Sequence, residues 1–102
     1  MNNSEIKSLI KRRRLQMLIH SCIYYELDES VISDHQWQAW ADELAELIQK
    51  YPELNRKIDE FDQYFSDWDG SSGFNLPHLN PWVIGKATGV LNYSRGNLNY
   101  TK

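Results

Sequence analysis

The strongest constraint on the fold is a run of apolar residues that recur every three or four positions between residues 37 and 51. This spacing predicts one amphipathic helix with a continuous apolar face. Ser33 and Gln36 form the pattern of a capping box before the run, and Asp34 adds a favourable negative charge in the first turn. Pro52 marks the end of this helix and the first turn of a third one. The apolar positions are Trp37, Trp40, Ala41, Leu44, Leu47, Ile48 and Tyr51.

A similar stripe lies nearer the start of the chain and predicts a helix from about Glu5 to Glu26, with Ser4 as its N-cap. The cluster Lys11–Arg14 interrupts the stripe, so we expect it to face water or to pair with acidic side chains. Contact with phosphate is the alternative for this cluster. The stripe consists of Ile6, Leu9, Ile10, Met17 and Tyr24, with Leu18, Cys22 and Tyr25 beside it.

The second half of the chain contains shorter helical patterns. Apolar residues continue a stripe through Glu53–Phe65, and turn residues break the pattern at Asp69–Gly73. Asn80 and Pro81 open a last helix that is expected to end near Leu91. No segment alternates long enough to predict a strand. The sequence therefore predicts an all-α fold, a small helical domain led by an antiparallel helix hairpin with one or two short C-terminal helices.

A chain of 102 residues predicts a single domain. We divide it into the hairpin at 5–54, the short helices and a Gly/Ser loop at 55–91, and an irregular tail at 92–102. The only cysteine is Cys22, so no internal disulfide can form, and its place on an apolar stripe predicts a core residue in a reducing cytoplasm. No apolar run approaches the length of a membrane-spanning helix, so a membrane role is not expected.

Charge is distributed unevenly, although the net charge is only -3. Residues 26–69 carry thirteen acidic and three basic side chains, whereas both flanking segments are basic. The simpler interpretation is an acidic helix surface in water. The alternative is that this acidic segment repels nucleic acid or imitates its charge. On either interpretation, direct binding of nucleic acid is not expected. The three histidines lack metal-ligand spacing, so we predict no metal site.

The segment from Leu18 to Leu54 resembles the N-terminal helical subdomain of bacterial NAD-dependent DNA ligases. Those proteins have a helix that ends in Tyr-Tyr or Tyr-His, a loop of the form Asp-x-Pro-x-Ile-Ser-Asp, and a second helix with Tyr-Asp near its start and His-Pro-Glu-Leu after it. The matching residues here are Tyr24-Tyr25, Asp28-Glu29-Ser30-Val31-Ile32-Ser33-Asp34, Trp37-Gln38 and Tyr51-Pro52-Glu53-Leu54.

In that family the subdomain binds the nicotinamide mononucleotide (NMN) half of NAD, so the resemblance implies a ligand site for NMN or NAD. Aromatic faces suit a cationic nicotinamide ring, and a carboxylate accepts hydrogen bonds from ribose hydroxyls or the carboxamide. Trp37 replaces the family's Tyr and keeps a stacking face, and Gln38 replaces the Asp and loses its charge. The alternative is that Tyr24 and Trp37 only pack the hairpin and that Asp34 only favours the helix start. The implied site residues are Tyr24, Tyr25, Asp34, Trp37 and Gln38.

A second resemblance covers the Gly/Ser loop. Small phage-associated proteins labelled as ligase-related join the hairpin to a loop of the form Phe/Trp-Asp-Gly-Ser-x-Gly-Phe-Asp-Leu-Pro and a short helix. The loop here is either a turn held by Phe74 and Leu76, or a binding loop whose backbone amides hold an anion. Its candidate interaction residues are Asp67, Trp68, Asp69, Gly70, Gly73 and Phe74.

The family's catalytic motif, Lys-x-Asp-Gly, does not occur in this sequence. Asp67-Trp68-Asp69-Gly70 has an acid in place of the lysine, so we predict no catalytic residues and no enzyme activity. The first functional hypothesis is a non-catalytic accessory protein of phage or mobile-element origin. It would act in the host cytoplasm by binding a partner protein, either a replication or repair factor or a host nuclease that it inhibits, as an anti-CRISPR does. The alternative is a nicotinamide-nucleotide-binding module, or a helper that completes a ligase in trans.

Overall fold

The computed structural model describes residues 2–58, 61–66, 68–70 and 76–99, and their fold is all-α, as predicted. Within these ranges the elements are α1 (Asn3–Tyr25), α2 (Asp34–Lys50), α3 (Pro52–Arg56), α4 (Asp62–Phe65) and α5 (Pro81–Asn99). The long helix α1 packs against both α2 and α5, and it also contacts α3. No helix in the described part of the chain combines the length and the apolar composition needed to cross a membrane.

Local signals explain where the hairpin helices begin and end. Ser33 caps α2 as predicted, because its hydroxyl accepts a hydrogen bond from the Gln36 N–H at 3.0 Å. Pro52 opens α3 as predicted. The N-cap of α1 is Asn2 rather than Ser4, since the Asn2 side chain accepts from the Glu5 N–H at 2.9 Å. The predicted start of α1 was therefore two residues late.

The prediction for residues 92–99 was wrong, because α5 continues to Asn99 instead of ending near Leu91. Polar composition favoured an irregular tail, but the helix carries a tertiary contact near its end. Arg95 pairs with Glu29 in the loop that joins α1 to α2. Residues 100–102 lie outside the described ranges.

The buried core joins the facing sides of α1, α2 and α5 with residues from the connecting segments. Cys22 is buried here, as predicted, and its thiol donates to the carbonyl of His78 at 3.4 Å. Burial, together with the nearby Glu26 carboxylate, raises the pKa of this thiol, which keeps it protonated at neutral pH. The main core residues are Ile10, Met17, Leu18, Ile23, Ala41, Leu44, Phe65, Val83 and Ala87.

The basic cluster of α1 was predicted to be exposed, and for Arg14 this prediction was wrong. The Arg14 side chain is 2% exposed. One guanidinium nitrogen donates to Asn55 Oδ1 at 2.6 Å and to the Asn55 carbonyl at 2.7 Å, and another donates to the Ile58 carbonyl at 3.1 Å. Arg13 does pair with an acidic residue, because its Nε lies 2.7 Å from Glu43 Oε1. Burial of Arg14 is possible because its charge meets several oxygen acceptors.

Arg14→Ala should lower the free energy of unfolding by about 3 kcal/mol or more, because it leaves buried acceptors unpaired and opens a cavity. Urea unfolding followed by circular dichroism measures this change. Arg12→Ala is the matched control, since Arg12 is exposed on the same helix and should change stability by about 0.5 kcal/mol or less. Equal effects of the two substitutions would contradict a central role for Arg14.

Candidate functional site

A pocket of about 270 Å³ lies where the end of α1 meets the start of α2. Side chains at the end of α1 form one wall, the connecting loop closes one end, and the first turn of α2 forms the opposite wall. All five residues that the ligase resemblance assigns to a ligand lie around this one pocket. The lining residues are His20, Ser21, Tyr24, Tyr25, Ser30, Val31, Ile32, Ser33, Asp34, Trp37 and Gln38.

The connecting loop is held in place by short-range hydrogen bonds. The Glu29 N–H donates to the Ile23 carbonyl at 3.1 Å, and the Ser30 hydroxyl donates to the Ile32 carbonyl at 2.6 Å. Asp28 has a φ of 52°, a left-handed conformation that Asp adopts more readily than most residues. These contacts return the chain to the cap of α2 and place Asp34 beside the end of α1.

Tyr24 and Tyr25 lie at the rim of the pocket, where they are exposed rather than packed in the core. Tyr24 is 56% exposed and Tyr25 is 42% exposed, which excludes the interpretation of Tyr24 as a core residue. Their rings meet edge to face, with centroids 4.9 Å apart. Tyr25 also stacks on His78 at 5.0 Å, so a buried side chain from outside the hairpin supports one of its faces. The rim therefore offers an exposed aromatic surface.

Trp37 is half-buried and both packs and lines the pocket. Its indole N–H donates to the Ser21 hydroxyl across the hairpin at 3.3 Å. Its ring meets Trp68 edge to face at 6.3 Å, and Trp68 in turn meets Phe65 at 5.5 Å. Trp37 is thus held by contacts on two sides, which limit the rotamers open to its side chain.

Asp34 supplies the negative charge of the pocket. Its side chain is exposed in the first turn of α2, where the helix dipole also stabilises a carboxylate. Asp34 is the one Asp, Glu, Lys or Arg among the lining residues, and burial lowers the pKa of His20, which favours its neutral ring. The pocket therefore combines aromatic faces with a single negative charge, which favours a cationic aromatic ligand.

Gln38 connects the pocket to the Gly/Ser loop. Its side-chain amide donates to Asp42 Oδ1 at 2.8 Å and to the Gly70 carbonyl at 3.4 Å. Among the candidate interaction residues of that loop, Trp68 and Gly70 pack on the hairpin and Asp69 is exposed. Asp67, Gly73 and Phe74 lie outside the described residues, so binding by this loop stays a prediction.

The sequence reasoning did not include His20 or Ser21 in the candidate ligand site. Both were detectable from helical spacing, because His20 lies four residues before Tyr24 and Ser21 lies four before Tyr25. Residues at this separation share a helix face. Within the described ranges, no group of three or more His, Cys, Asp or Glu side chains lies close enough together to hold a metal ion.

Comparison with known proteins relates part of the chain to DNA ligases. A 67-residue segment, 61% of this chain, is 36% identical to 9% of a DNA ligase from Anaplasma phagocytophilum (strain HZ). A 50-residue segment, 49% of this chain, is 40% identical to 7% of a DNA ligase from Pseudothermotoga lettingae (strain ATCC BAA-301 / DSM 14385 / NBRC 107922 / TMO). The chain thus spans less than a tenth of the length of these curated relatives. No protein-family model matches it, and no solved structure does.

Gly70→Ala should destabilise the protein by about 1–3 kcal/mol. Gly70 has a φ of 79°, and an added Cβ would lie 2.9 Å from the backbone oxygen of Ala41 in α2. Gly85→Ala is a control that should have the opposite sign. The added Cβ would enter open space on α5, and because Ala has a higher helix propensity than Gly, the substitution should stabilise the helix by about 0.5–1 kcal/mol. Thermal and urea unfolding measure both changes. A neutral effect at Gly70 would show that the loop does not need its close approach to α2.

Proposed function

We propose that this chain is a non-catalytic nicotinamide-nucleotide-binding module that holds the NMN part of NAD between α1 and α2. The observation that carries the proposal is the pocket itself. Five positions assigned from the resemblance, which are spread over fifteen residues of sequence, all line it. The partial similarity to DNA ligases supports a ligase-derived module.

The size and charge of the pocket support this class of ligand. Its volume of about 270 Å³ lies just below the range of about 300–1,000 Å³ typical of small-molecule sites, which suits a mononucleotide better than a whole dinucleotide. No lysine or arginine lines it, so the phosphate of the ligand would remain at the open edge. The pyridinium ring of oxidised nicotinamide is cationic and matches the Asp34 carboxylate and the tyrosine faces.

Titration with NMN should quench the fluorescence of Trp37 in a saturable way. Trp37→Phe identifies the signal, because three other tryptophans contribute background. Tyr24→Ala and Asp34→Asn should each weaken binding by about fivefold or more, since they remove a stacking face and the single negative charge. Tyr93→Ala and Glu46→Gln are matched controls, because these exposed residues lie outside the pocket lining and should leave the affinity unchanged.

The same titration with reduced NMN separates charge from shape. The reduced ring is neutral, so wild-type protein should prefer oxidised NMN, and Asp34→Asn should narrow that preference. A flat titration at millimolar NMN would remove the proposal. A preference that survives Asp34→Asn would show that the aromatic faces alone select the cation.

A second candidate is the binding of a partner protein, favoured by exposed apolar side chains outside the pocket. Leu79 is 72% exposed, Trp82 is 46% exposed and Tyr93 is 73% exposed, and apolar side chains of this size in water favour protein interfaces. The partner classes remain a host nuclease that the chain inhibits, a replication or repair factor, or a ligase completed in trans.

Trp82→Ala should weaken such a complex by about tenfold or more, because the ring is 46% exposed. The ring also contacts Phe61 with centroids 6.1 Å apart, so urea unfolding of the variant separates loss of stability from loss of binding. The measurement is size-exclusion chromatography with purified nucleases and with a ligase that lacks its first subdomain. Thr88→Ala, an exposed position on the same helix, is the control. The absence of any complex at low and high salt would reject this candidate.

A further inference from the structure

His20 carries a feature that neither packing nor the assigned ligand residues explain. It lies on α1 one turn before Tyr24 and lines the same pocket. Its ring contacts Trp40 with centroids 5.6 Å apart and planes tilted by 45°. His20 Nδ1 is buried without a hydrogen-bond partner. Unpaired buried polar atoms are rare enough to require an explanation.

The unpaired nitrogen determines which tautomer the ring adopts. A neutral imidazole has one N–H donor and one acceptor nitrogen. A proton on Nδ1 would be a buried donor without an acceptor, which is costly. Nε2 is not buried without a partner in this way, so a proton on Nε2 can still reach an acceptor. The proton is therefore more stable on Nε2 than on Nδ1. His20 therefore offers a neutral N–H donor through Nε2.

The surroundings of His20 limit what this donor can bind. Burial lowers the pKa of His20 and favours the uncharged ring, and Asp34 is the single carboxylate of the pocket lining. A ligand carboxylate would be repelled by Asp34 and would gain no positive partner from His20. An uncharged carbonyl oxygen meets neither obstacle and accepts a hydrogen bond from a neutral N–H.

We propose that His20 is a specificity-determining residue whose Nε2–H donates to the carboxamide oxygen of the nicotinamide ring. This inference rests on the proposed function, because it assigns the side chain that recognises the carboxamide of the proposed ligand. Two properties of the protein can be tested separately. One concerns the tautomer of the free protein, and the other concerns the selection of ligands.

The tautomer is measured without ligand by long-range ¹H–¹⁵N NMR of the histidine rings, with His20→Gln used to assign the signal. At pH 7 the His20 ring should show a protonated Nε2 and an unprotonated Nδ1. A ring protonated on Nδ1 would overturn the proposal even if NMN binds. Addition of NMN should shift the Nε2 resonance of His20, whereas the exposed ring of His35, which lies outside the pocket lining, should not move.

Ligand selection is measured by comparing NMN with the pyridinium riboside phosphate that lacks the carboxamide. The wild-type protein should bind NMN about three- to tenfold more tightly, the gain of one hydrogen bond. His20→Gln places an amide N–H near the position of Nε2 and should keep most of this preference. His20→Asn places its amide near the position of Nδ1 and should lose it, although both variants lose the same ring contact with Trp40.

The outcomes distinguish failure of this inference from failure of the proposed function. If the wild-type protein binds neither ligand, the nicotinamide module itself is rejected, and with it this role of His20. If it binds NMN and the analogue without the carboxamide equally, the proposed function is retained and recognition of the carboxamide by His20 is rejected. If NMN is preferred but His20→Asn keeps the preference, the donor is a different residue. Nicotinic acid mononucleotide should bind more weakly than NMN in every variant that retains Asp34, and equal binding would overturn the stated selection against a carboxylate.

Discussion

The buried guanidinium of Arg14 is the interaction on which the arrangement of the other elements depends. It ties the middle of α1 to the backbone carbonyls of Asn55 and Ile58, which follow α2 in the chain. Asn55 in turn donates to the Phe65 carbonyl at 2.8 Å, and the Arg14 guanidinium lies 5.4 Å from the centroid of the Phe65 ring. One charged side chain thereby organises a segment that has little regular secondary structure of its own.

The same network extends to the pocket through aromatic contacts. Phe65 meets Trp68, and Trp68 meets the ring of Trp37, which lines the pocket and bonds to Ser21. Each contact constrains the rotamer of the next side chain. The pocket at one end of the hairpin therefore rests on packing that begins near the middle of α1. In a chain of 102 residues this arrangement lets a few aromatic side chains serve both the core and the site.

The hairpin could be predicted because its sequence signals are local. The remaining features could not be predicted, since they depend on residues that are distant in the sequence. The cap at Ser33 and the periodicity of α2 require only neighbouring residues. The burial of Arg14 depends on acceptors more than forty residues away, so local charge patterning predicted the opposite. The extension of α5 to Asn99 is accompanied by a pair between Arg95 and Glu29, 66 residues apart. The positions around the pocket came from the resemblance, whereas the unpaired nitrogen of His20 is visible only in three dimensions.

Gln38 shows how the Gly/Ser loop accounts for a departure from the ligase pattern. The family has an acid at this position, but here the side chain donates to Asp42 and to the carbonyl of Gly70. A carboxylate has no donor when ionised, so an acid at position 38 would face a second carboxylate and a carbonyl oxygen. The hydrogen bond from the Gln38 amide to Gly70 therefore goes together with the close approach of Gly70 to α2. An uncharged side chain at position 38 leaves Asp34 as the single carboxylate of the pocket lining, and under the proposed function this carboxylate would favour a cationic ring over an anionic group.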